Sequence, residues 1–389
     1  MSGTGASAVE PLAPADRAAA AELLETLSGD GQAMRIRGGA TKLGWGSPVK
    51  AEVDVSTENL NEIREHNEGD YTAVVDAGVP LAQLQDRVSS TGQRLALDPA
   101  LGDGDQATLG GILATADAGP LRHRYGAVRD LVLGVTVALP DGSIAKAGGK
   151  VIKNVAGYDL PKLYAGSFGT LGLILEVVVR LHPLPERTLS VVGSSTDPDA
   201  ISAAAWGLAD SALEPEALDV RWGTAGTVLV RVAGSEAVAL AERARKLIAE
   251  HGIDGELLED DEEVWRAQRE GQRSASGAVL RVSAKPAMLA DVFRVAQAVG
   301  AGVVGRAAHG VSWLRFEARS EDELIDAIDR VRSELEPGYS TLLDAPSAVR
   351  QRIDPFGLHG LPEQRLMRSV KERFDPGNAC NPGLMGAGI

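Results

Sequence analysis

The stretch "KNVAGYDLPKLYAGSFGTLGLILEVVVRL", residues 153–181, decides the fold. It opens as a polar, basic loop, passes Gly166, Gly169 and Gly172 at three-residue steps, and runs into an apolar strand. Glycine costs backbone entropy, so such a cluster marks positive-φ geometry or something packed hard against bare main chain. A tight turn feeding helix-to-strand packing meets the first condition, and a bound cofactor meets the second. The rest of the chain has to choose.

Its 389 residues suggest roughly two or three domains. With 44% hydrophobic and 24% charged residues the composition is that of an ordinary soluble globular protein. A net charge of −15 argues against nucleic acid as the main partner, because neutralising phosphates needs a basic face. No apolar run approaches the roughly 20 residues of a membrane span, so no transmembrane segment is expected. The N-terminus lacks a basic segment followed by an apolar one, so no secretory signal is expected either. The single Cys380 excludes an internal disulfide and an iron–sulfur cluster or Cys-rich zinc site held by this chain alone. The six histidines show no metal-ligand spacing, and no metal is expected.

Around the opening stretch, residues 12–186 alternate short β-rich runs with glycine-rich loops. "AMRIR" (33–37), "AEVDVS" (51–56), "YTAVVDAG" (71–78), "VLGVTVALP" (132–140) and "LGLILEVVVRL" (171–181) read as strands. "TENLNEIREHN" (57–67) and "PLAQLQDRVSSTG" (80–92) carry helical spacing. After "HPLPERT" the texture changes. Residues 188–259 and 278–344 each read β-α-β-β-α-β, joined by an acidic helical connector, "EDDEEVWRAQREGQ". The fold class expected is therefore α+β, with residues 187–350 a duplicated ferredoxin-like unit on one continuous antiparallel sheet. Residues 351–389 end in a short Pro/Gly-rich stretch that cannot form a domain and is expected to dock on an earlier one.

Three segments of this acidic chain are free of Asp and Glu: residues 34–50 (Arg35, Arg37, Lys42, Lys50), 118–129 (Arg122, His123, Arg124, Arg129) and 143–158 (Lys146, Lys150, Lys153). All three contain glycine and sit beside an expected strand, which suggests a common anionic ligand. In the first, a strand ends at Arg37 and opens into Gly38-Gly39, where bare amides can form an anion-binding concavity. Trp45 stands where a Walker loop needs its lysine. The formal G-x-G-x-x-G at Gly300, Gly302 and Gly305 follows a helix and leads into a strand, the reverse of a dinucleotide fingerprint. In "ATLGGILATADAG" (107–119) small residues and two threonines permit close approach of an extended ligand, or equally of a packed helix.

Together these motifs resemble the FAD-binding superfamily of vanillyl-alcohol oxidase and p-cresol methylhydroxylase, and within it the FAD-binding E subunits of bacterial glycolate oxidases. "RGGATKLGWG" resembles the pyrophosphate loop, "ATLGGILAT" the second flavin segment and "GSFGTLGLILEV" the glycine-rich stretch beside the flavin. "GAVRDLVLGV", "GGKVIKNVAGYDLPKL" and "FDPGNACNPG" resemble further segments. The resemblance implies a two-subdomain FAD-binding domain over 12–186, a cap over 187–350 and a C-terminal segment returning to the FAD domain. It implies that Arg37, Gly38, Gly39, Ala40 and Thr41 hold the pyrophosphate. Thr108, Leu109, Gly110, Gly111, Ala114 and Thr115 would line the FAD, with Gly169, Gly172 and Ile174 along it. Thr41 stands where covalently flavinylated members carry histidine, which implies non-covalent FAD. Ala40 replaces the usual third glycine, Lys42 a common serine, and Leu384 a basic residue usual after "NPG".

The resemblance further implies oxidation of a 2-hydroxy acid, glycolate or D-lactate. That chemistry needs a cation for the carboxylate and a base for the hydroxyl proton. Arg281 and Arg315, on cap strands of the sort that face the flavin in relatives, are candidate clamps, and His309 and Tyr158 candidate bases. Solvated sheet-face arginines and a structural histidine are the plain alternatives. With no cluster in this chain, electrons would pass to a second, D-like FAD subunit and an F-like iron–sulfur subunit, in the cytoplasm at the inner face of the membrane. The competing possibilities are a non-catalytic electron-transfer or assembly subunit, and an NAD(P)H-dependent flavin reductase on the same fold.

Overall fold

The apolar run after Gly172 is the strand Leu173–Arg180, buried on both faces. The computed structural model describes residues 10–150, 158–336, 338–386 and 389. Leu173 and Leu175 turn toward helix Arg17–Gly29 and Cys380, while Ile174, Val177 and Val179 pack with Val75, Val135 and Val137. A strand flanked by two cores has no solvent face to mark with polar residues, so it reads as a continuous apolar run.

It is the central strand of a five-stranded antiparallel sheet in the order Ile63–Asn67, Thr72–Asp76, Leu173–Arg180, Val132–Ala138, Ile144–Gly148. Beside it, Met34–Arg37 pairs in parallel with Val53–Ser56, and Met34 bridges Cys380 of the C-terminal segment. Helix Arg17–Gly29, capped by Asp16 accepting from the Ala19 amide, buries Ala20, Ala21, Leu24 and Leu27 against this layer.

Residues 57–67 do not form the helix their spacing predicts. Ile63–Asn67 is an edge strand, tied to Thr72–Asp76 through a turn in which Asn67 and Asp70 hydrogen-bond. One face of that strand meets water, so its polar residues suit an exposed edge as well as a helix, and pairing overrides propensity. Within the third acid-free segment, Ile144–Gly148 forms the opposite edge strand. Residues 151–157, including Lys153, lie outside the described residues.

Apart from the short antiparallel pair Gln93–Arg94 and His182–Pro183, the remaining strands form one eight-stranded antiparallel sheet. Its order is Gly255–Leu258, Thr188–Ser195, Gly226–Ala233, Ala217–Trp222, Gly302–Arg306, Val311–Phe316, Ala278–Ser283, Tyr339–Leu342. Each half is a β-α-β-β-α-β unit, and the halves join where Ala217–Trp222 pairs with Gly302–Arg306. Gly300 and Gly302 precede or begin that strand, so the G-x-G-x-x-G pattern belongs to a sheet seam. Helices Pro198–Ala209, Ala237–Ala249, Leu289–Ala298 and Glu321–Glu334 bury one face, each buried Leu, Ile, Val or Phe contributing about 1.5–3 kcal/mol. On the other face the connector helix Glu262–Glu270 covers the first half with Trp265. The second half turns Val279, Val304, Val311 and Trp313 onto Trp45, Phe168 and Met385. That contact seats the large sheet on the glycine-rich loops.

Candidate functional site: a glycine-walled cavity beneath the large sheet

A cavity of about 310 Å³ opens between strand Met34–Arg37, helix Leu109–Thr115 and the loop that enters Leu173–Arg180. Arg37 through Thr41 form one wall. Thr108, Gly110, Gly111, Ala114 and Thr115 form the second, and Gly169, Gly172 and Ile174 the third. Leu109 is the exception among the residues implicated by resemblance. It points into the core with Val79, Leu84 and Ile112, because helix geometry turns it away from the face that Thr108 and Gly111 present.

The walls suit a phosphate-bearing ligand. Among the described residues, the amides of Gly38, Gly39, Ala40, Thr41 and Lys42 donate to no protein group. Arg37 Nε and Thr57 Oγ1 are buried without a partner, and both residues line the cavity. Unpaired buried donors cost about 1–3 kcal/mol each; together with a nest of free amides they fit the pyrophosphate of FAD. Ala40 adopts φ +59°, the left-handed conformation that the usual glycine would take without strain.

Why these positions are glycine is more specific than close approach to a ligand. A Cβ on Gly39 would lie 1.7 Å from the Gln106 carbonyl oxygen, and one on Gly38 would lie 2.2 Å from Thr108 Oγ1. Gly166, Gly169 and Gly172 all have positive φ, and Gly172 would meet the Ala138 carbonyl. The glycines bring protein walls together around the cavity. Gly39→Ala is therefore expected to separate residues 38–42 from 106–108 and to cut FAD content below about one-tenth of wild type, since a backbone clash cannot be relieved by a rotamer. Wild-type flavin absorbance per mole of that variant would refute the packing.

Asn381, 345 residues from its partner in sequence, ties two walls. Its Oδ1 accepts from the Ile36 amide at 2.8 Å and its Nδ2 donates to the Phe168 carbonyl at 2.7 Å. Leu384 also lines the cavity, packed with Trp45 and Phe168 in place of a basic residue. The acid-free segments are less free than composition suggests. Arg35 and Arg37 pair with Asp54, Arg124 with Glu214 and Lys150 with Glu65. Lys42, a cavity residue, makes an ion pair with Asp117 at 3.3 Å, the two side chains 6% and 4% exposed.

Behind Lys42 lies a cluster of polar side chains under the large sheet, linked to it through Asp117, whose charge also acts on Arg281. Arg281 descends from strand Ala278–Ser283; burial pushes its guanidinium below its ordinary value, opposed by the Asp117 charge and reinforced by Arg122. His123, on the short helix Arg122–Tyr125, and His309, on the turn Ala307–His309, meet edge to face with centroids 5.7 Å apart. Burial, then His309 and Arg124, lowers His123 to about 4, and its Nδ1 is buried without a partner. Although the His309 ring reaches solvent, desolvation on its inner side, then Arg122 and Arg306, lowers it as well. Both imidazoles are thus neutral acceptors at ordinary pH. Arg306, fully buried, pairs with Asp219 at 2.6 Å, donates to the Gly119 carbonyl at 3.1 Å and stacks on Trp313. It thereby holds the 117–123 loop against the sheet.

The other two candidates fall outside this cluster. Arg315 shares the inner face of the sheet but lies at its solvent end, 43% exposed and 3.8 Å from Glu317. Tyr158 is 94% exposed and cannot serve as a buried base. His123 goes unmarked by spacing because its partner lies in another unit of the chain; its one signal is its place in an acid-free segment.

A chain folded this way around such a cavity is an FAD-binding flavoprotein. Residues 11–148 match the FAD binding domain family, and the chain carries that domain. It is 29% identical to the glycolate oxidase subunit GlcE of Escherichia coli, over 90% of this chain and 91% of that protein. It is also 29% identical to a D-lactate dehydrogenase of Archaeoglobus fulgidus, over 90% of this chain and 84% of that one. Among solved structures an alkyldihydroxyacetonephosphate synthase shares the fold, with a TM-score of 0.71 at 15% identity, covering 95% of this chain and 76% of the synthase. The protein is an FAD-linked oxidoreductase.

Proposed function

We propose that this chain oxidises a small 2-hydroxy acid, as the E-like flavoprotein of a glycolate-oxidase-type assembly. The observation that carries it is the polar cluster behind Lys42, where the His123 and His309 rings meet and the Arg122 charge acts on both His309 and Arg281. FAD, held non-covalently by the loops around Arg37–Thr41 and Thr108–Thr115, supplies the two-electron oxidant. Arg281 binds the substrate carboxylate by a charge-assisted hydrogen bond. The paired imidazoles accept the hydroxyl proton, and the carboxylate's charge raises their basicity once it is bound. Arg306 positions the loop bearing Asp117, Arg122 and His123 without touching substrate.

Cys380 is fully buried, so this chain offers no thiolate for a cluster, and the electrons leave to other chains. A second, D-like flavoprotein and an F-like iron–sulfur subunit at the inner face of the cell membrane fit that need. Among the described residues no helix is long and apolar enough to cross a membrane. Anaerobic absorbance of the FAD-loaded chain near the flavin band is the test, with glycolate and D-lactate as the first substrates because relatives bear those names. Bleaching within seconds is expected. Bleaching that waits for a partner flavoprotein would make the chain an electron-transfer or assembly subunit, and bleaching by NAD(P)H would make it a reductase.

A further inference from the structure

The far half of the loop that lines the FAD cavity, Thr41 to Gly46, is gripped by three side chains from the unit of the large sheet. Arg273 donates from Nη2 to the Thr41 carbonyl at 2.8 Å. Asp344, 7% exposed, accepts from Trp45 Nε1 at 2.9 Å, from the Arg273 guanidinium at 2.8 and 3.2 Å, and from the Ser274 amide at 3.0 Å. Arg350 donates from Nη1 to the Gly46 carbonyl at 3.1 Å and itself lines the cavity. A trans peptide points its C=O and N–H in opposite directions. The guanidinium on the Thr41 carbonyl therefore turns the Lys42 amide, one of those that donate to no protein group, away from Arg273. Arg273 thus sets the aim of a donor in the pyrophosphate nest without lining the cavity. Trp45 is 2% exposed, its ring beside Lys42 and Arg273 and packed with Phe168, Val279 and Met385. Swinging the loop off a seated sheet would strand the Trp45 indole N–H and remove two donors from the buried Asp344–Arg273 pair. We infer that Arg273 and Asp344 are positioning residues that latch the FAD loop to the large sheet, so that FAD is released only when the sheet unseats from that loop. The inference concerns the cofactor alone and holds whichever acid is oxidised.

The FAD-loaded full chain, with no substrate present, would be diluted far below its FAD affinity and release followed by the recovery of flavin fluorescence. Asp344→Asn sets an amide against the Arg273 guanidinium and should speed release at least about tenfold, the effect of losing a charge-assisted hydrogen bond. Arg273→Met should do the same, and the double variant should go no more than about threefold beyond either, because the two share one network. Arg273→Lys should recover part of the slow release. The wild type carries an independent readout. Unseating the sheet exposes buried apolar surface, so the logarithm of the release rate should rise linearly with urea well below the unfolding transition. Fraying of the loop by itself exposes little and would leave the rate flat. A wild-type rate independent of urea would overturn the latch even if every variant failed to fold. Unchanged release from folded Asp344→Asn and Arg273→Met, or effects that simply multiply in the double variant, would overturn it too. Because no acid enters the experiment, its failure leaves the 2-hydroxy-acid reading untouched.

Discussion

Replacing Asn381 with leucine is expected to destabilise the protein by about 4 kcal/mol and to leave it without flavin. The side chain, 3% exposed, satisfies two buried main-chain groups on opposite walls of the cavity, the Ile36 amide and the Phe168 carbonyl. Leucine leaves both unpaired, at about 1–3 kcal/mol each. It must also adopt φ +44°, which asparagine tolerates and a branched apolar residue does not, adding roughly 1–2 kcal/mol. The consequence for function is geometric. Ile36 precedes the Arg37–Thr41 nest, and Phe168, itself at φ +52°, precedes Gly169, so both walls lose their common anchor at once. Asn381→Asp separates the parts: it keeps the acceptor for Ile36 but sets a carboxylate against the Phe168 carbonyl, so flavin content should fall less than in Asn381→Leu. Denaturant unfolding and the ratio of flavin to protein absorbance read both effects. Wild-type values for Asn381→Leu would mean the walls are held elsewhere.

The ease of seeing the site in the sequence follows from how local its causes are. Residues 37–41 and 107–115 are legible because their function sits in short runs of small residues whose backbones do the work, and because a strand buried on both faces, Leu173–Arg180, cannot hide its apolar run. The two β-α-β-β-α-β units are equally legible, since each helix carries its own apolar stripe and the outer two a side-chain cap, Asp197 ahead of Pro198–Ala209 and the Ser320–Glu323 capping box ahead of Leu324, Ala327, Ile328 and Val331. Residues 57–67 mislead because an exposed edge strand and a surface helix accept the same polar residues. The polar cluster behind Lys42 is the least legible part. His123 and His309 are separated by more than a hundred residues and meet only because Gly302–Arg306 joins the two halves of the large sheet and Arg306 grips the Gly119 carbonyl. Composition also cannot tell how closely a cation is held: Lys42 and Arg122 look alike in the sequence, yet among the described residues Lys42 has a carboxylate within ion-pairing distance and Arg122 only the more distant charge of Asp130.

Lys371→Met is expected to be the other severe substitution, costing about 3–5 kcal/mol, although Lys371 does not line the cavity. Its ammonium is 3% exposed and donates to the Thr170 carbonyl at 2.8 Å, to Asp375 Oδ2 at 2.6 Å and to the Cys380 carbonyl at 2.7 Å. Asp375 in turn accepts from the Ala379 and Cys380 amides. One buried charge pair thus clamps the turn before Asn381 to the glycine-rich loop at Thr170. Methionine fills the volume but strands the Asp375 carboxylate, whose two remaining amide donors cannot replace a cation. Adding Asp375→Asn removes that stranded charge, so the double variant should be more stable than Lys371→Met alone by at least about 1 kcal/mol, within the range of coupled contacts. The lone thiol gives a local readout. Burial first, then the Asp375 charge, holds Cys380 well above the ordinary thiol range, so it should resist disulfide reagents in the wild type. In Lys371→Met the loosened turn should expose it, and labelling under native conditions should accelerate at least tenfold. An unchanged labelling rate with lowered global stability would show that the clamp supports the fold as a whole and leaves the turn that aims Asn381 undisturbed.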